Sequence, residues 1–284
     1  MKQKHVLVIA LFIIMISAVI TTAVLCFINK HKQDIKVTAT ISVSDLSLPE
    51  KPIDLISHRG LTTDAPENSL ESIALSGEKG YCAVEFDIRQ TIDGVWVLSH
   101  DDNIKRMTNG KGKISKMTYR EILEYSLDNG NGIEENSDIK ITTLSQALNA
   151  CLTHTVKPYI EVKSFNEGGI ENLYNLVHDK SVLENIAIIS FDGNVVQKFN
   201  ELSPKTEIWL LTSKLDKNAF EFVKNNPQIG LSFNGNLKKN TAQKITELMD
   251  DEIKLCAWTI DDKATFEKLI DIGITTFTTN VFIP

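Results

Sequence analysis

The chain lacks the features that would mark several whole classes of protein. There are four cysteines in 284 residues (Cys26, Cys82, Cys151 and Cys256), scattered and with no CxxC pair. No disulfide framework is expected, only buried thiols. Positive charge is in short supply: the net charge is −7, and no basic run carries interleaved aromatics. That argues against nucleic acid as a partner, and an anionic substrate would need cations supplied locally. There is no internal repeat and no low-complexity tract. Four of the histidines (His5, His31, His154 and His178) have no metal-like spacing to other ligands and are expected to be solvated or satisfied side chains.

One long apolar run is present. Val6 to Ile28 contains no charge and is interrupted only by Ser17, Thr21 and Thr22. As a helix it would be about 34 Å long, enough for a hydrocarbon core of roughly 30 Å. A cleaved secretory signal would have a shorter core ending at a small-residue site; here the run continues through Val24-Leu25-Cys26-Phe27-Ile28. The expectation is an uncleaved single-pass anchor occupying residues 1–32 with its short tail. Lys2 and Lys4 precede the span, and Lys30, Lys32 and Lys36 follow it, so the charge rule is nearly balanced. The shortness of the N-terminal tail favours keeping it inside. The large C-terminal part is then expected outside, at the plasma membrane.

Residues 33–52 read as a Thr/Ser-rich linker with Pro49 and Pro52. From Ile53 onward, short apolar runs alternate with helical patterns. The strand candidates are Ile53–Ser57, Ala83–Ile88, Val95–Ser99, Pro158–Val162, Ile186–Ser190, Glu207–Leu211, Ile229–Phe233, Leu255–Thr259 and Ile274–Thr278. Asn68 is the expected N-cap of the first helix, with Glu71 after it and Gly80 as its stop. The alternation argues for a parallel sheet, with one strand more than an eight-stave barrel needs. Only Arg89–Gly94 separates the second and third runs, and Asp93-Gly94 is a tight-turn signal, so a hairpin-like irregularity is expected there. The polar stretch Arg106–Ile141 is expected to pass over the barrel mouth.

Polar residues recur where strands end: His58 after the first run, Glu85 and Asp87 near the end of the second, His100 after the third, Glu161 and Lys163 at the end of the fourth. Strand C-termini of a barrel converge on one face, where active sites lie. Two histidines, an arginine and carboxylates so placed can hold a phosphodiester, bind a divalent metal and move two protons.

The string His58-Arg59-Gly60, Pro66-Glu67-Asn68-Ser69, Glu85-Phe86-Asp87, Asp93-Gly94, His100-Asp101 and Glu161-Val162-Lys163 resembles the glycerophosphodiester phosphodiesterase family. The likeness continues through Ser190-Phe191-Asp192, Trp258–Asp262 and Gly273–Asn280, so it covers residues 53–284; at Asn280 many members carry Asp. The resemblance implies an α/β fold, an irregular TIM (β/α)8-type barrel, preceded here by the expected N-terminal transmembrane helix. It implies one divalent ion, Ca2+ or Mg2+, on Glu85, Asp87 and Glu161. It also implies His58 and His100 as the acid/base pair, with either able to begin as base.

By the same likeness Arg59 would grip phosphate oxygens, and Lys163 would add positive charge or hold Glu161. Phe191 and Trp258 are candidates for an apolar wall, Glu67 and Asn68 for ordering the loop after His58. Three functions stay open. They are hydrolysis of small glycerophosphodiesters, cleavage of a lysolipid or sphingolipid head group, and non-catalytic binding of glycerol-phosphate polymers. The loops Arg106–Ile141 and Asn166–Gly169 are expected to separate the first two by the breadth of any apolar rim.

Overall fold

The computed structural model describes residues 39–46, 52–133, 138–235 and 241–284. The anchor expected at Val6–Ile28 lies outside the described residues. Among those described, no helix is long and apolar enough to cross a membrane.

Strand β1 (Ile41–Ser42) lies in the stretch read as linker, and pairs in parallel with the last strand, β11 (Phe282–Ile283). That part of the linker is therefore built into the fold. The main sheet contains β2 (Asp54–Ser57), β3 (Ala83–Gln90), β4 (Trp96–Leu98), β5 (Lys157–Ser164), β6 (Ala187–Ser190), β7 (Glu207–Thr212), β8 (Gly230–Asn234), β9 (Leu255–Trp258) and β10 (Thr276–Thr279). Eight of these form a parallel ring, closed where β2 pairs with β3 on one side and β10 on the other. The ninth, β4, runs antiparallel to β3 on the far side of a turn in which Gly94 has φ +83°. The surplus strand is thus the hairpin foreseen from Asp93-Gly94.

Alternation along each strand sorts the side chains. Val84, Phe86 and Ile88 of β3, Ile160 and Val162 of β5, and Ile208 of β7 join the core between sheet and helices. Ile56, Ala83, Tyr159, Ala187, Ile189, Trp209, Leu211 and Cys256 form a separate cluster that fills the barrel interior. Glu85 and Asp87 share the inward face with Ala83, and Glu161 and Lys163 share it with Tyr159. Burying an outward side chain such as Phe86 stabilises by about 2–3 kcal/mol, and many such residues offset the cost of drawing carboxylates inside.

Three local expectations need correction. The first helix (Leu70–Glu78) is capped by Ser69 and not Asn68: Ser69 Oγ accepts from Ser72 N at 3.1 Å, and Ser72 Oγ accepts from Ser69 N. Asn68 instead has φ +57° and is engaged elsewhere. Cys82 is exposed, while Cys151 and Cys256 are buried; all three are free thiols. The stretch 106–141 packs on the loop after β2, with Asn131 Nδ2 donating to Thr62 O at 2.7 Å and a Cβ at Gly130 meeting Pro66.

Candidate active site

The pocket at the C-terminal ends of the strands is lined by His58, Arg59, Glu85, His100, Glu161, Lys163, Phe191 and Trp258, over a floor that includes Tyr159 and Trp209. Every residue singled out for chemistry lines this pocket except Asp87, which lies directly beneath.

The turn after β2 explains part of the geometry. Arg59 has φ +58° and Gly60 φ +83°. A Cβ on Gly60 would sit 2.2 Å from Ser72 Oγ, so glycine is required by both conformation and space. This turn aims the Arg59 N–H at Glu85 Oε2 (2.9 Å).

Pairing of β3 with β5 sets Asp87 opposite Glu161, and ligand oxygens of Glu85, Asp87 and Glu161 lie within 4.8 Å of one another. Asn68 holds Asp87 by a reciprocal pair, its Nδ2 donating to Oδ2 (3.0 Å) and its Oδ1 accepting from Asp87 N (2.9 Å). Lys163 Nζ reaches Glu161 Oε1 at 2.7 Å and Asp87 Oδ1 at 3.2 Å. Burial drives Asp87 up, but the Arg59 and Lys163 charges outweigh it and hold the carboxyl below its ordinary range. Glu85 goes the other way, well above that range, through burial and the nearby Asp87 and Glu161 carboxylates. Burial and Asp87 also raise Glu161.

Glu85 Oε1 is buried and has no hydrogen-bond partner among the described residues. A buried, unpartnered carboxylate oxygen facing two other carboxylates suits a cation ligand. The all-oxygen donor set fits a hard divalent ion.

The histidines are each held from behind. His58 Nδ1 lies 3.0 Å from Asn280 Oδ1. Asn280 is fixed by Asp261, which accepts from its Nδ2 at 2.6 Å and its backbone N at 2.7 Å. Burial and the Arg59 guanidinium lower the His58 pKa to about 4. His100 Nδ1 lies 2.8 Å from Asp101 Oδ1. This hydrogen bond, with help from Arg106, holds the Asp101 carboxyl well below its ordinary range. Arg106 Nε bonds Asp101 Oδ2, and its Nη2 bonds Glu67 Oε1 at 2.7 Å; Glu67 in turn accepts from Arg59 at 3.3 Å.

The model of the glycerophosphoryl diester phosphodiesterase family matches residues 58–282. The chain belongs to this family. Among similar proteins, human glycerophosphodiester phosphodiesterase 1 is 32% identical over 155 residues, 54% of this chain and 47% of that one. The chain thus spans about half the length of its mammalian relatives. A glycerophosphodiester phosphodiesterase of Caldanaerobacter subterraneus subsp. tengcongensis is 27% identical over 229 residues, 78% of this chain and 90% of its own. A phosphodiesterase of Oleispira antarctica, solved in complex with the product sn-glycerol-3-phosphate, superposes with a TM-score of 0.70 at 25% identity, over 84% of this chain and 96% of that one.

Within this family frame, Phe191 is 49% exposed. It meets Trp258 edge-on with ring centroids 5.5 Å apart, so the two rings wall the pocket and are not plain core. Among the described residues of 106–141 and 166–169, none contributes to the lining. The functional partners that sequence reasoning missed are Asn280, Asp261, Asp101 and Arg106. The first two sit inside the matching string but more than 200 residues from His58, and no local pattern couples them.

Proposed function

We propose that this chain hydrolyses glycerophosphodiesters, the deacylated forms of phospholipids, to glycerol phosphate and an alcohol. The observation that carries the reading is two histidines on one pocket, each held through Nδ1 by an orienting side chain, beside a carboxylate triad in which one buried oxygen has no partner among the described residues. A divalent cation, Ca2+ or Mg2+, held by Glu85, Asp87 and Glu161, would neutralise phosphate oxygens and stabilise charge developing on them.

The histidine roles follow from their partners. Asn280 donates through Nδ2 to Asp261, so its Oδ1 is the atom that faces His58 and it must accept. The His58 proton is then on Nδ1, and Nε2 keeps its lone pair. With its pKa lowered to about 4, His58 is neutral at physiological pH and suited to take the proton of the attacking hydroxyl. His100 is oriented by Asp101, whose Oδ1 lies 2.8 Å from its Nδ1. It is suited to give a proton to the departing alkoxide. Arg59 and Lys163 add cations for the phosphate oxygens, and Phe191 with Trp258 packs the alcohol portion.

Small diesters are favoured over acyl-bearing lipids, because no described residue of either loop expected to build a broad apolar rim lines the pocket. Polymer binding without catalysis is disfavoured, because both histidines keep an orienting partner. The apolar segment Val6–Ile28 supports a single-pass plasma-membrane setting with the barrel extracytoplasmic. The test is a panel of glycerophosphodiesters, lysolipids and polyglycerol phosphate, assayed with Ca2+ and with Mg2+. His58→Ala and His100→Ala should each abolish turnover of glycerophosphocholine without loss of folded structure. Full residual activity in both variants would sink the assignment.

A further inference from the structure

Between Asn103 and Arg120 the chain carries Lys105, Arg106, Lys111, Lys113, Lys116 and Arg120 and no acidic residue, in a protein of net charge −7. Arg106 turns inward to Asp101 and Glu67, and the other five are exposed. Among the described residues only Lys113 has an acidic partner, Asp102, at 3.8 Å. The segment is folded back on itself. Asn103 and Lys113 form an antiparallel bridge, Ile104 N donates to Gly112 O at 3.0 Å, and Ile114 N donates to Asp102 O at 2.7 Å. Lys105 and Lys111 therefore stand on the two arms of one tight loop.

The segment docks onto the tip of the β3–β4 hairpin, where Ile92 N donates to Met117 O (3.0 Å) and Tyr119 N to Asp93 Oδ1 (3.0 Å). At that tip Ile92 is 58% exposed. The carboxylates that flank the patch are occupied locally: Asp93 by Thr91 and Tyr119, Asp102 by Ser115, and Glu121 by the Thr118 cap. The root of the patch, Arg106, bonds the partner of His100, so the patch stands beside the pocket mouth.

We propose that segment 103–120, together with Ile92, is a docking surface for an anionic phospholipid bilayer. Five exposed cations concentrate where the rest of the protein is acidic, which is the complement of an anionic surface. An exposed aliphatic side chain among them gains by entering the headgroup layer, as apolar residues of interfacial segments do. A soluble polyanion would use the lysines and gain nothing from Ile92. Docked this way, the barrel rests on the lipid with its pocket mouth near the surface.

The test uses the full chain reconstituted in lipid discs of phosphatidylcholine alone, or with about one-third phosphatidylglycerol. Acetylation rates of Lys105, Lys111, Lys113 and Lys116 are read by mass spectrometry, with Lys205 and Lys217, whose side chains are 81% and 83% exposed, as references. The expected result is roughly five-fold or greater slowing at the four patch lysines in the anionic discs only, reversed by about 0.5 M salt. Lys111→Glu/Lys113→Glu/Lys116→Glu should lose the protection at Lys105, while hydrolysing soluble glycerophosphocholine at the parent rate. Equal slowing at Lys205 and Lys217, or none at the patch, would overturn the proposal. So would equal protection by soluble polyglycerol phosphate in the neutral discs, which would assign the patch to a polymer. The lysine readout does not depend on turnover, so inactivity toward diesters would refute the catalytic reading and leave this one standing.

Discussion

The proton-accepting role of His58 can be tested by moving one negative charge a single hydrogen bond closer to it. Asp261 now carries the charge and Asn280 relays it. The exchange Asn280→Asp with Asp261→Asn reverses the polarity of that link while keeping a donor between the two side chains. A carboxylate oxygen would then face His58 Nδ1, where an amide oxygen sits at 3.0 Å. Unit charges about 4 Å apart interact by about 4 kcal/mol at an effective dielectric constant near 20. At about 1.4 kcal/mol per pH unit this corresponds to a rise of about 3. The charge withdrawn from position 261 already contributes, so a net rise of about 2 is expected.

The sign is fixed by the role. A base works only when neutral, so raising its pKa moves the acid limb of the kcat/KM profile upward. From about 4 in the parent, the limb should move to about 6 in the exchanged variant, which at pH 5 would keep about a tenth of its plateau rate. The assay is a pH profile on glycerophosphocholine together with a titration of the His58 ring by NMR. Asp261→Asn alone removes charge and should not raise the limb. A ring pKa that rises while the acid limb stays within about 0.5 unit of the parent would refute His58 as the base.

Three further outcomes follow from the same geometry. Arg106→Gln leaves Glu67 and Asp101 without the guanidinium they share, so Asp101 loses the contact that fixes it behind the His100 ring. Turnover should fall about 10²- to 10³-fold for choline as leaving group and under about 10-fold for nitrophenolate, which departs without a proton; steady-state kcat on the two diesters checks this. Glu85→Gln removes a carboxylate whose charge burial and its neighbours oppose. It should raise the melting temperature of the metal-free protein and abolish Ca2+ or Mg2+ binding by calorimetry. Phe282→Ala deletes a fully buried ring stacked on Phe266 at 4.2 Å; denaturant unfolding should show a loss of about 3–5 kcal/mol.

Most of the barrel was legible in the sequence because strands and helices announce themselves through local period and punctuation. All nine strand candidates fall within a residue or two of observed strands, and Asp93-Gly94 marked the one irregular step. Alternation along β3 put Glu85 and Asp87 on one face, but joining Glu161 to them as a candidate metal triad came from the family resemblance. What could not be read depends on contacts made through space. Asn68 looked like a cap by residue type, yet its left-handed backbone and its bonds to Asp87 appear only once β3 lies beside it. Asn280 and Asp261 reach His58 only when β10 closes the ring against β2. The loop 106–141 was recognisable as an excursion, but its length and polarity did not say that it would pack against the loop after β2 and leave the pocket wall to strand ends.

The two-stranded pairing of β1 with β11 changes where this domain can be cut. The family model's match begins at His58, yet β2 lies upstream and closes the ring, and Ile41–Ser42 lies further upstream still, bound to the strand that follows Asn280. A fragment trimmed to the matching residues would lack one stave and strip the backbone partner from the segment that positions the His58 relay. A piece that keeps this pairing starts before Ile41. Any tether attached there pulls on the strand that follows Asn280, not on a free end.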